Sequence, residues 1–467
     1  MKYDKIRCCI RFYNALLYWG DLMIEIDEIL ELIRDRSYVL LKKRLTEMLD
    51  VDIADLIHQL DSTDSLIIFR LLSKDQAAMV FTELEPEFQM RIVESSTDSE
   101  VSRIINEMYM DDMVDFIEEM PANAVKKILR NTTPQNRETI NQILNYPEKS
   151  AGTIMTTEYV VLKQGLTVKQ ALDYINKNGV DKVTIYTCYV TDAQRKLLGF
   201  VSLRMILTAD LDAKIGDIME EDVVYVHTLD DQEEVSELFI KYGFTVVPVV
   251  DEETRMVGII TVDDIIDVIE EEDTEDFHKM AGISPTEEKY LNTSFISLSK
   301  HRITWLLILM VTSTITGSII DSFEEVLAAY MILNTFVPML MGTGGNSGNQ
   351  SSTLVIRGMA TGEIALSDWR RVLKKEFLVA LLVGSILAVV NLARVVVINK
   401  VGFDVAIVVS ATMMLTVMSA MVVGGMLPIL AAKFKLDPAI MAAPLITTIV
   451  DASCLIIYFN IASRLLF

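Results

Sequence analysis

The segment LDPAIMAAPLITTIVD, residues 436–451, carries two carboxylates, Asp437 and Asp451, in a stretch that is otherwise apolar enough to cross a membrane. An ionisable side chain at bilayer depth is costly and therefore marks a functional-site hypothesis. On one continuous helix from Leu436 to Arg464, Asp451 returns to within roughly 40° of Asp437, about 21 Å further along the axis. Both acids are then expected to face one lumen, with Asp451 near the bilayer midplane. The alternative is a protonated Asp451 with a packing role.

The two halves of the chain differ in charge. With 467 residues, 51% of them apolar, and a mean hydropathy of +0.34, the chain is expected to be a multi-domain membrane protein. From Ile303 onward there are ten Lys or Arg and nine Asp or Glu, whereas residues 1–302 hold 32 basic and 57 acidic side chains. The first part is therefore predicted to be soluble, to bind no nucleic acid, and to have divalent cations or its own copies as partners.

An internal repeat of twelve residues runs through the first part of the chain. Apolar residues recur at that spacing, and a second apolar row follows three positions later, which is typical of short amphipathic helices joined by polar turns. The first row is Ile57, Phe69, Phe81, Val93, Ile105, Ile117 and Leu129. We predict an α-helical solenoid over residues 35–147, preceded by an N-terminal extension, residues 1–34. Asp111-Asp112 and Glu118-Glu119 are expected on its outer, solvated face, where metal binding is the less favoured role.

After Pro147 the pattern changes to short strands that alternate with helices, in two copies. Ile154-Met155 recurs as Ile218-Met219, and Gly199-Phe200-Val201 recurs as Gly258-Ile259-Ile260. Together with GFTVVPVVDEETRMVGIITVDDIIDVI, these copies resemble a tandem pair of cystathionine-β-synthase (CBS) domains, an α/β regulatory module. The first unit is placed at residues 148–213 and the second at 214–270.

The second CBS unit carries a candidate nucleotide motif. In that family a Thr/Ser-x-x-Asp after the last strand holds a nucleotide ribose, and Thr261 to Asp264 fit the spacing. A helix N-cap at Thr261 with acids in the first turn explains the same residues. The sequence leaves both interpretations open, so an adenine nucleotide is a candidate ligand of the CBS pair.

An acidic segment links this module to the apolar half. Between Asp251 and Asp276 there are twelve acids and one base. Because like charges at this density repel along a helix, a cation is expected to screen them. Carboxylates suit hydrated Mg²⁺, although a merely solvated acidic face is the competing interpretation. We assign residues 263–300 to an acidic connecting helix and linker.

Five membrane spans fit the remaining residues 301–467, at about 303–320, 326–356, 377–398, 405–432 and 437–464. With the acidic half in the cytosol, nine basic residues fall in internal loops and three in external ones, as the positive-inside rule requires. The internal ones are Lys300, Arg302, Arg357, Arg370, Arg371, Lys374, Lys375, Lys433 and Lys435. An odd number of spans predicts a C-terminus outside the cell. The fold class is thus a cytosolic helical solenoid, an α/β CBS pair and a five-helix transmembrane domain.

This order of domains, with the segments PMLMGTGGNSGNQSSTLVIRGMATGE and DPAIMAAPLITTIVD, resembles the MgtE magnesium transporters or channels from about residue 35 to the end. The resemblance implies a homodimer in the lipid bilayer, with the pore between the fifth spans. It assigns the pore aspartate to Asp451, the cytosolic-mouth aspartate to Asp437, and a second-span asparagine near the pore to Asn349.

The resemblance also implies a cation sensor. In the family, cytosolic Mg²⁺ bridges acids of the CBS pair and the connecting, or plug, helix and holds the pore shut. The matching positions are Asp231, Glu233, Asp264, Asp267, Glu272, Glu275 and Asp276. Gly243 stands where an acidic ligand is expected, and Ala442-Ala443 are less polar than the family pattern.

The function implied is Mg²⁺-selective, channel-like influx across the plasma membrane, gated shut by cytosolic Mg²⁺. An inside-negative potential favours entry of a divalent ion by about 4.6 kcal/mol per 100 mV, so no ATPase is needed. The alternative is a secondary transporter of Mg²⁺ or Co²⁺ coupled to ions or protons. An enzyme is not expected, because a catalytic carboxylate dyad needs acids about 3 Å apart.

Overall fold

The computed structural model describes residues 26, 28–118, 120–286, 290, 293–441 and 443–466. Most of the expected N-terminal extension, residues 1–34, and Ala442 therefore lie outside the described residues. The chain forms two compact units, Met1–Val268 and Ile269–Phe467, which are considered separately.

The first unit begins with the expected solenoid of short helices. They are α1 (Tyr38–Glu47), α2 (Asp50–Gln59), α3 (Ser62–Leu71), α4 (Lys74–Thr82), α5 (Pro86–Ser95), α6 (Asp98–Ile105), α7 (Met110–Glu118), α8 (Ala122–Asn131) and α9 (Pro134–Ile143). Side-chain N-caps start several of them: Thr97 and Glu100, for example, form a capping box at α6. The twelve-residue row is buried from Ile57 to Ile117, but in the last repeat Ile128 takes the core position in place of Leu129.

Two similar three-stranded sheets follow, and this confirms the CBS pair. The first contains β1 (Val161–Lys163), β2 (Thr187–Thr191) and β3 (Leu197–Ser202), with α10 (Val168–Asn178), α11 (Leu203–Thr208) and α12 (Ile215–Ile218). The second contains β4 (Val226–His227), β5 (Val246–Val250) and β6 (Met256–Thr261), with α13 (Gln232–Tyr242). In each sheet the first pair of strands is parallel and the second antiparallel. The two sheets also shift register at the same point, between Val190 and Thr191 and between Val249 and Val250.

The connecting helix α14 (Val262–Met280) starts directly after β6, and the border between the two units falls within it. Its first turn carries Asp263 and Asp264, whose charges favour a helix N-terminus. Its last turn carries His278 and Lys279, which favour a C-terminus.

The second unit is helical. Its helices are α15 (Phe295–Asp321), α16 (Glu324–Ala329), α17 (Val337–Ala360), α18 (Trp369–Val397), α19 (Phe403–Lys433) and α20 (Ala443–Leu466), with 3₁₀ turns at Met331–Phe336, Leu366–Asp368 and Pro438–Met441. Helix α19 is central, because α17, α18 and α20 all pack against it. Tyr458 of α20 is fully buried and donates a hydrogen bond to the carbonyl oxygen of Leu333 over 2.9 Å.

Four helical stretches among the described residues are long and apolar enough to cross a membrane: Phe295–Asp321, Leu366–Val397, Phe403–Lys433 and Pro444–Leu466. The expected second span, 326–356, is not one helix, since it divides into α16, a 3₁₀ turn and α17. Helix α17 has 24 residues, and its glycines, serines and asparagines make it too polar for that group.

The expected fifth span also needs correction. Residues 436–464 do not form one helix, because Pro438–Met441 is a 3₁₀ turn and α20 begins only at Ala443. The rotation and the separation of about 21 Å calculated for Asp437 and Asp451 on one helix therefore do not apply. Asp451 is the ninth of the 24 residues of α20, so it lies before the middle of that helix.

Candidate ion pathway and cation sensor

Asp451 and Asn349 each present a buried oxygen without a hydrogen-bond partner. Oδ1 of Asp451 on α20 and Oδ1 of Asn349 on α17 accept no bond from the residues that the structure describes. Leaving such acceptors unpaired is costly in a protein interior. Both oxygens are hard ligands of the kind that Mg²⁺ or its water shell prefers. The second unit thus holds two candidate cation acceptors on helices that pack against each other.

Glycines on α17 bring its backbone close to α19 and α20. A Cβ at Gly348 would lie 2.7 Å from Cγ2 of Ile446, and one at Gly344 would lie 2.9 Å from Cγ1 of Val450, the residue before Asp451. A Cβ at Gly424 of α19 would overlap the carbonyl oxygen of Gly348. The Gly-Asn-rich segment and Gly424 therefore mark close packing of helices.

Asp437 binds the end of the connecting helix. Its Oδ2 accepts a hydrogen bond from Nζ of Lys279 over 2.6 Å, and its Oδ1 accepts one from the backbone N–H of Ala439 over 2.8 Å. The same Lys279 ammonium pairs with Glu275, one turn earlier on α14. Burial lowers the pKa of Lys279, but its hydrogen bonds to Asp437 and Glu275 outweigh that effect and raise it. Lys279 is thus a fixed cation at Asp437.

Asp276 completes this group of charges. Burial and then the negative charge of Asp437 raise the pKa of Asp276 to about 6, although Lys279 opposes the rise. The structure therefore brings Glu275, Asp276 and Asp437 together around Lys279. Glu272 lies one turn before Asp276, and its charge also raises the pKa of Asp276.

Three further contacts hold the end of α14 in the second unit. Gly282 adopts a φ of +68°, and a Cβ there would collide with the indole of Trp305 and lie 2.8 Å from Cγ of Pro444. The backbone N–H of Ser284 donates to the carbonyl oxygen of His301 over 3.0 Å. Arg357 and Asp273 form an exposed ion pair at 3.5 Å, which is expected to add little.

In the first unit, Asp111 and Asp112 of the solenoid lie near Asp264 of α14. Burial and then the charge of Asp264 raise the pKa of Asp112 to about 6, and the same two causes raise the pKa of Asp111. The expectation that Asp111-Asp112 are solvated on an outer face was therefore wrong: both are half-buried and face another element. Glu119 lies outside the described residues.

Asp267, one turn further along α14, lies near another solenoid acid. Burial and then the charge of Asp267 raise the pKa of Glu83. Asp231 serves as the N-cap of α13, accepting the N–H of Glu233 over 2.9 Å. Within the described part of the chain, no three His, Cys, Asp or Glu side chains form a group able to hold a metal ion. The expected sensor residues are thus distributed along α13 and α14.

Thr261 and Asp264 bond to each other. The hydroxyl of Thr261 donates to Oδ2 of Asp264 over 2.5 Å, and the backbone N–H of Thr261 donates to the same oxygen over 3.3 Å. This is the helix-cap arrangement that the sequence left open beside a nucleotide site. Burial raises the pKa of Asp264, while the bond from Thr261 opposes that rise.

The backbone conformation explains why glycine occupies position 243, where the family pattern leads us to expect an acid. It ends α13 in the left-handed conformation, with φ of +66° and ψ of 35°. Glycine is favoured there because a side chain is strained at this φ. No atom lies within 4 Å of where a Cβ would be, so the conformation of the backbone, and not space, selects glycine.

The sequence interpretation missed two residues of this region. The sequence assigned no role to Lys279, and its contact with Asp437 gives it one. Glu376 of α18 was placed just before the third span, but its Oε2 accepts a hydrogen bond from Ser351 of α17 over 2.6 Å. A carboxylate at the edge of an apolar run, within a stretch long enough to span a membrane, was the available signal.

Comparisons with known proteins agree with this architecture. The family described as "MgtE: Divalent cation transporter" matches residues 337–461, the MgtE intracellular N domain matches 48–149, and the CBS domain matches 151–212 and 215–271. The magnesium transporter MgtE of Thermus thermophilus is 38% identical over 436 residues, covering 91% of this chain and 95% of that protein. The magnesium transporter MgtE of Bacillus subtilis is 32% identical, covering 93% and 96%.

A solved structure supports the fold of the first unit. The crystal structure of the soluble part of a magnesium transporter is 30% identical, with a TM-score of 0.51, and covers 54% of this chain and 99% of that one. The family matches and the full-length relatives lead to one conclusion: this chain belongs to the MgtE family of magnesium transporters, membrane proteins with a cytosolic N-terminal domain.

Proposed function

We propose that this protein conducts Mg²⁺ into the cell as a channel that cytosolic Mg²⁺ closes. The observation that carries the proposal is the pair of unpartnered oxygens, Asp451 Oδ1 and Asn349 Oδ1, on the closely packed helices α20 and α17. A largely hydrated Mg²⁺ offers waters to both oxygens, so neither acceptor stays unsatisfied during passage. The membrane potential supplies the driving force, about 4.6 kcal/mol per 100 mV for a divalent ion.

The active form is a homodimer. One Asp451 carries a single negative charge, whereas two copies facing one axis neutralise a divalent ion. The boundaries given from the sequence, from the solenoid at 35–147 to the transmembrane domain at 301–467, define the parts of each protomer. We place the protein in the plasma membrane with five spans and the C-terminus outside.

Closure depends on the acids Asp231, Glu233, Asp264, Asp267, Glu272, Glu275 and Asp276. The raised pKa of Asp276, and of Asp111 and Asp112 beside Asp264, supports this role. Burial is the largest cause of these shifts and a neighbouring negative charge is the second, so the arrangement that brings the carboxylates together favours binding of cytosolic Mg²⁺. An adenine nucleotide on Thr261 and Asp264 is a secondary proposal, and it requires the bond between those two side chains to open.

A secondary transporter coupled to ions or protons is the alternative mechanism. Catalysis is not part of the proposal, since the relatives are named as transporters. Imposing pH and Na⁺ gradients on liposomes separates the mechanisms. A channel passes Mg²⁺ at a rate set by the Mg²⁺ gradient and the voltage, whereas coupled transport follows the imposed H⁺ or Na⁺ gradient.

The test of the pore is Mg²⁺ influx into liposomes that contain Asp451→Asn. The amide keeps the size of the side chain and removes its charge, so influx is expected to fall at least tenfold, with a thermal stability close to that of the parent. Asp404→Asn is the matched control, because Asp404 lies in the first turn of α19, at the opposite end of the bundle from Asp437. Influx that survives Asp451→Asn unchanged would remove the basis of the proposal.

A further inference from the structure

Glu376 occupies a layer between two apolar layers of the helix bundle. On the side of the α18 N-terminus, Val372 packs with Val355 and Ile429. One turn beyond Glu376, Ala380 packs with Val417 and Met421. The carboxylate thus lies at the junction of α17, α18 and α19, inside a helix long enough to cross the membrane. A charge in such a place requires partners and is rarely without a role.

The two neighbouring helices, α17 and α19, both contact the Glu376 side chain. Ser351 of α17, which is only 1% exposed, donates its hydroxyl hydrogen to Oε2 of Glu376 over 2.6 Å. On α19, Gly425 leaves room for the side chain, since a Cβ there would lie 2.8 Å from Cγ of Glu376. A short bond from a buried hydroxyl to a carboxylate is a strong, directional interaction.

Ser351 stands two residues from Asn349 on the same helix. Two residues correspond to a rotation of about 200° on an α-helix, so the two side chains leave α17 on nearly opposite sides. Glu376 therefore holds one side of α17, while Asn349 projects from the other side. Gly344 and Gly348 pack α17 against Val450 and Ile446 of α20, with no side chain of their own to lock the helix rotation.

We propose that Glu376 is a positioning residue for the ion pathway: its bond with Ser351 fixes the rotation of α17 and thereby the place of the Asn349 carbonyl relative to Asp451. The inference rests on the proposed role of Asn349 and Asp451 in conduction. A rotation of 20° moves a side-chain oxygen about 6 Å from the helix axis by roughly 2 Å, which is comparable to a metal–oxygen distance. Glu376 consequently sets the preference for Mg²⁺ over the larger Ca²⁺.

The experiment compares Glu376→Gln, Glu376→Leu and Ser351→Ala in liposomes that hold the full-length protein. The ratio of Mg²⁺ to Ca²⁺ influx is measured along with the thermal unfolding temperature. Glu376→Gln keeps an oxygen that accepts the hydrogen bond from Ser351. The ratio of Mg²⁺ to Ca²⁺ influx in this variant is therefore expected to lie within twofold of the parent's ratio. Glu376→Leu and Ser351→Ala remove the bond and are expected to lower the ratio about fivefold or more.

Ser347→Ala is the matched control, because Ser347 is also buried on α17 but its hydroxyl donates to the Thr343 carbonyl of its own helix. Its ratio should equal that of the parent. An unchanged ratio in Ser351→Ala overturns the inference, even if Glu376→Leu fails to fold. A loss of all flux in Glu376→Gln overturns it too, because the charge itself would then be required. Asp451→Asn run alongside tells a failure of the conduction proposal from a failure of this one.

Discussion

Asp112 shows how tertiary contacts change the meaning of a single acidic residue. Asp112 lies in the solenoid helix α7, half-buried, and burial and then the charge of Asp264 raise its pKa to about 6. In the unfolded chain the same group titrates near 3.8. The folded protein therefore holds the proton more tightly than the unfolded chain does, and the stability of the folded state depends on pH.

The first prediction follows from that difference. The contribution of Asp112 to the free energy of unfolding is greatest below about pH 4 and is lost as the pH rises through about 6. In Mg²⁺-free buffer, replacing Asp112 by asparagine should therefore stabilise the protein at pH 8 and have a much smaller effect at pH 5. Thermal unfolding of both proteins at the two pH values measures this, and Asp64→Asn in the first turn of α3 is the control. Equal effects at pH 5 and pH 8 would contradict the assignment.

The sequence predicts the role of a single residue when the residues beside it in the chain form a recognisable pattern. Asp451 is recognisable because it interrupts an apolar run. Asn349 is recognisable because it belongs to a segment that resembles the MgtE family. Lys279, Glu376 and Asp112 have partners more than 20 positions away, so their roles depend on the packing of helices. A local pattern marks Glu376 as a carboxylate at the edge of an apolar run, but no local pattern identifies the partners of these three residues.

Among the elements, the connecting helix α14 carries acids along its length and ends in contact with Asp437. Its C-terminal end is held by the Lys279 bond to Asp437, by Gly282 against Trp305, and by the backbone bond from Ser284 to His301. Because the Lys279 side chain is only 22% exposed and that of Asp437 30%, their pairing is screened less than a surface ion pair.

The second prediction concerns this contact. Lys279→Ala and Asp437→Asn should each increase amide hydrogen exchange near Met280 and Ala281, and the double variant should add little to either. A coupling free energy of about 0.5–3 kcal/mol is expected for residues in direct contact. Arg357→Gln is the control, because the Arg357–Asp273 pair is exposed and should change exchange hardly at all. Additive effects of the two replacements would show that Lys279 and Asp437 do not act as a pair.

The third prediction concerns the glycines of α17. A methyl group at Gly348 would meet the side chain of Ile446 and the carbonyl of Ala420, so Gly348→Ala should cost about 1–3 kcal/mol of stability. Gly342 on the same helix has no atom within 4 Å of a Cβ, and Gly342→Ala is expected to be neutral or stabilising by up to about 1 kcal/mol. Thermal unfolding of the two variants provides the comparison. A Gly348→Ala protein as stable as Gly342→Ala would argue against the close packing of α17 and α20.

Periodicity predicted the elements well wherever it was strong. The twelve-residue row predicted the solenoid, and the duplicated strand pattern predicted two similar sheets. The sequence did not predict the interruptions of the helices near Tyr330 and before Ala443. Both lie in long apolar segments, where no cluster of charged residues indicates a turn. Pro438 and Pro444 indicate the interruption before Ala443, since a proline favours the start of a helix and disfavours its interior.

For the whole molecule, the proposed function joins the charge distribution and the ion pathway in one feedback system. Residues 1–302 carry 57 acids and 32 bases, so the cytosolic half has the opposite charge to the ion that enters. In the proposed mechanism, Asp451 and Asn349 pass the ion, and the acids of α13 and α14 bind it after entry. The charge imbalance could be calculated from composition, but the link through Lys279 and Asp437 required the structure.

Mg²⁺ influx into liposomes, with the internal Mg²⁺ concentration varied, tests this account most directly, because it reports on the pore and the sensor together. The parent protein should pass Mg²⁺ at low internal Mg²⁺ and stop at high internal Mg²⁺. A variant with Asp264, Asp267, Glu272 and Glu275 changed to their amides should conduct but no longer close. If that variant closes at the same internal Mg²⁺ concentration as the parent, the sensor assigned to the connecting helix is wrong.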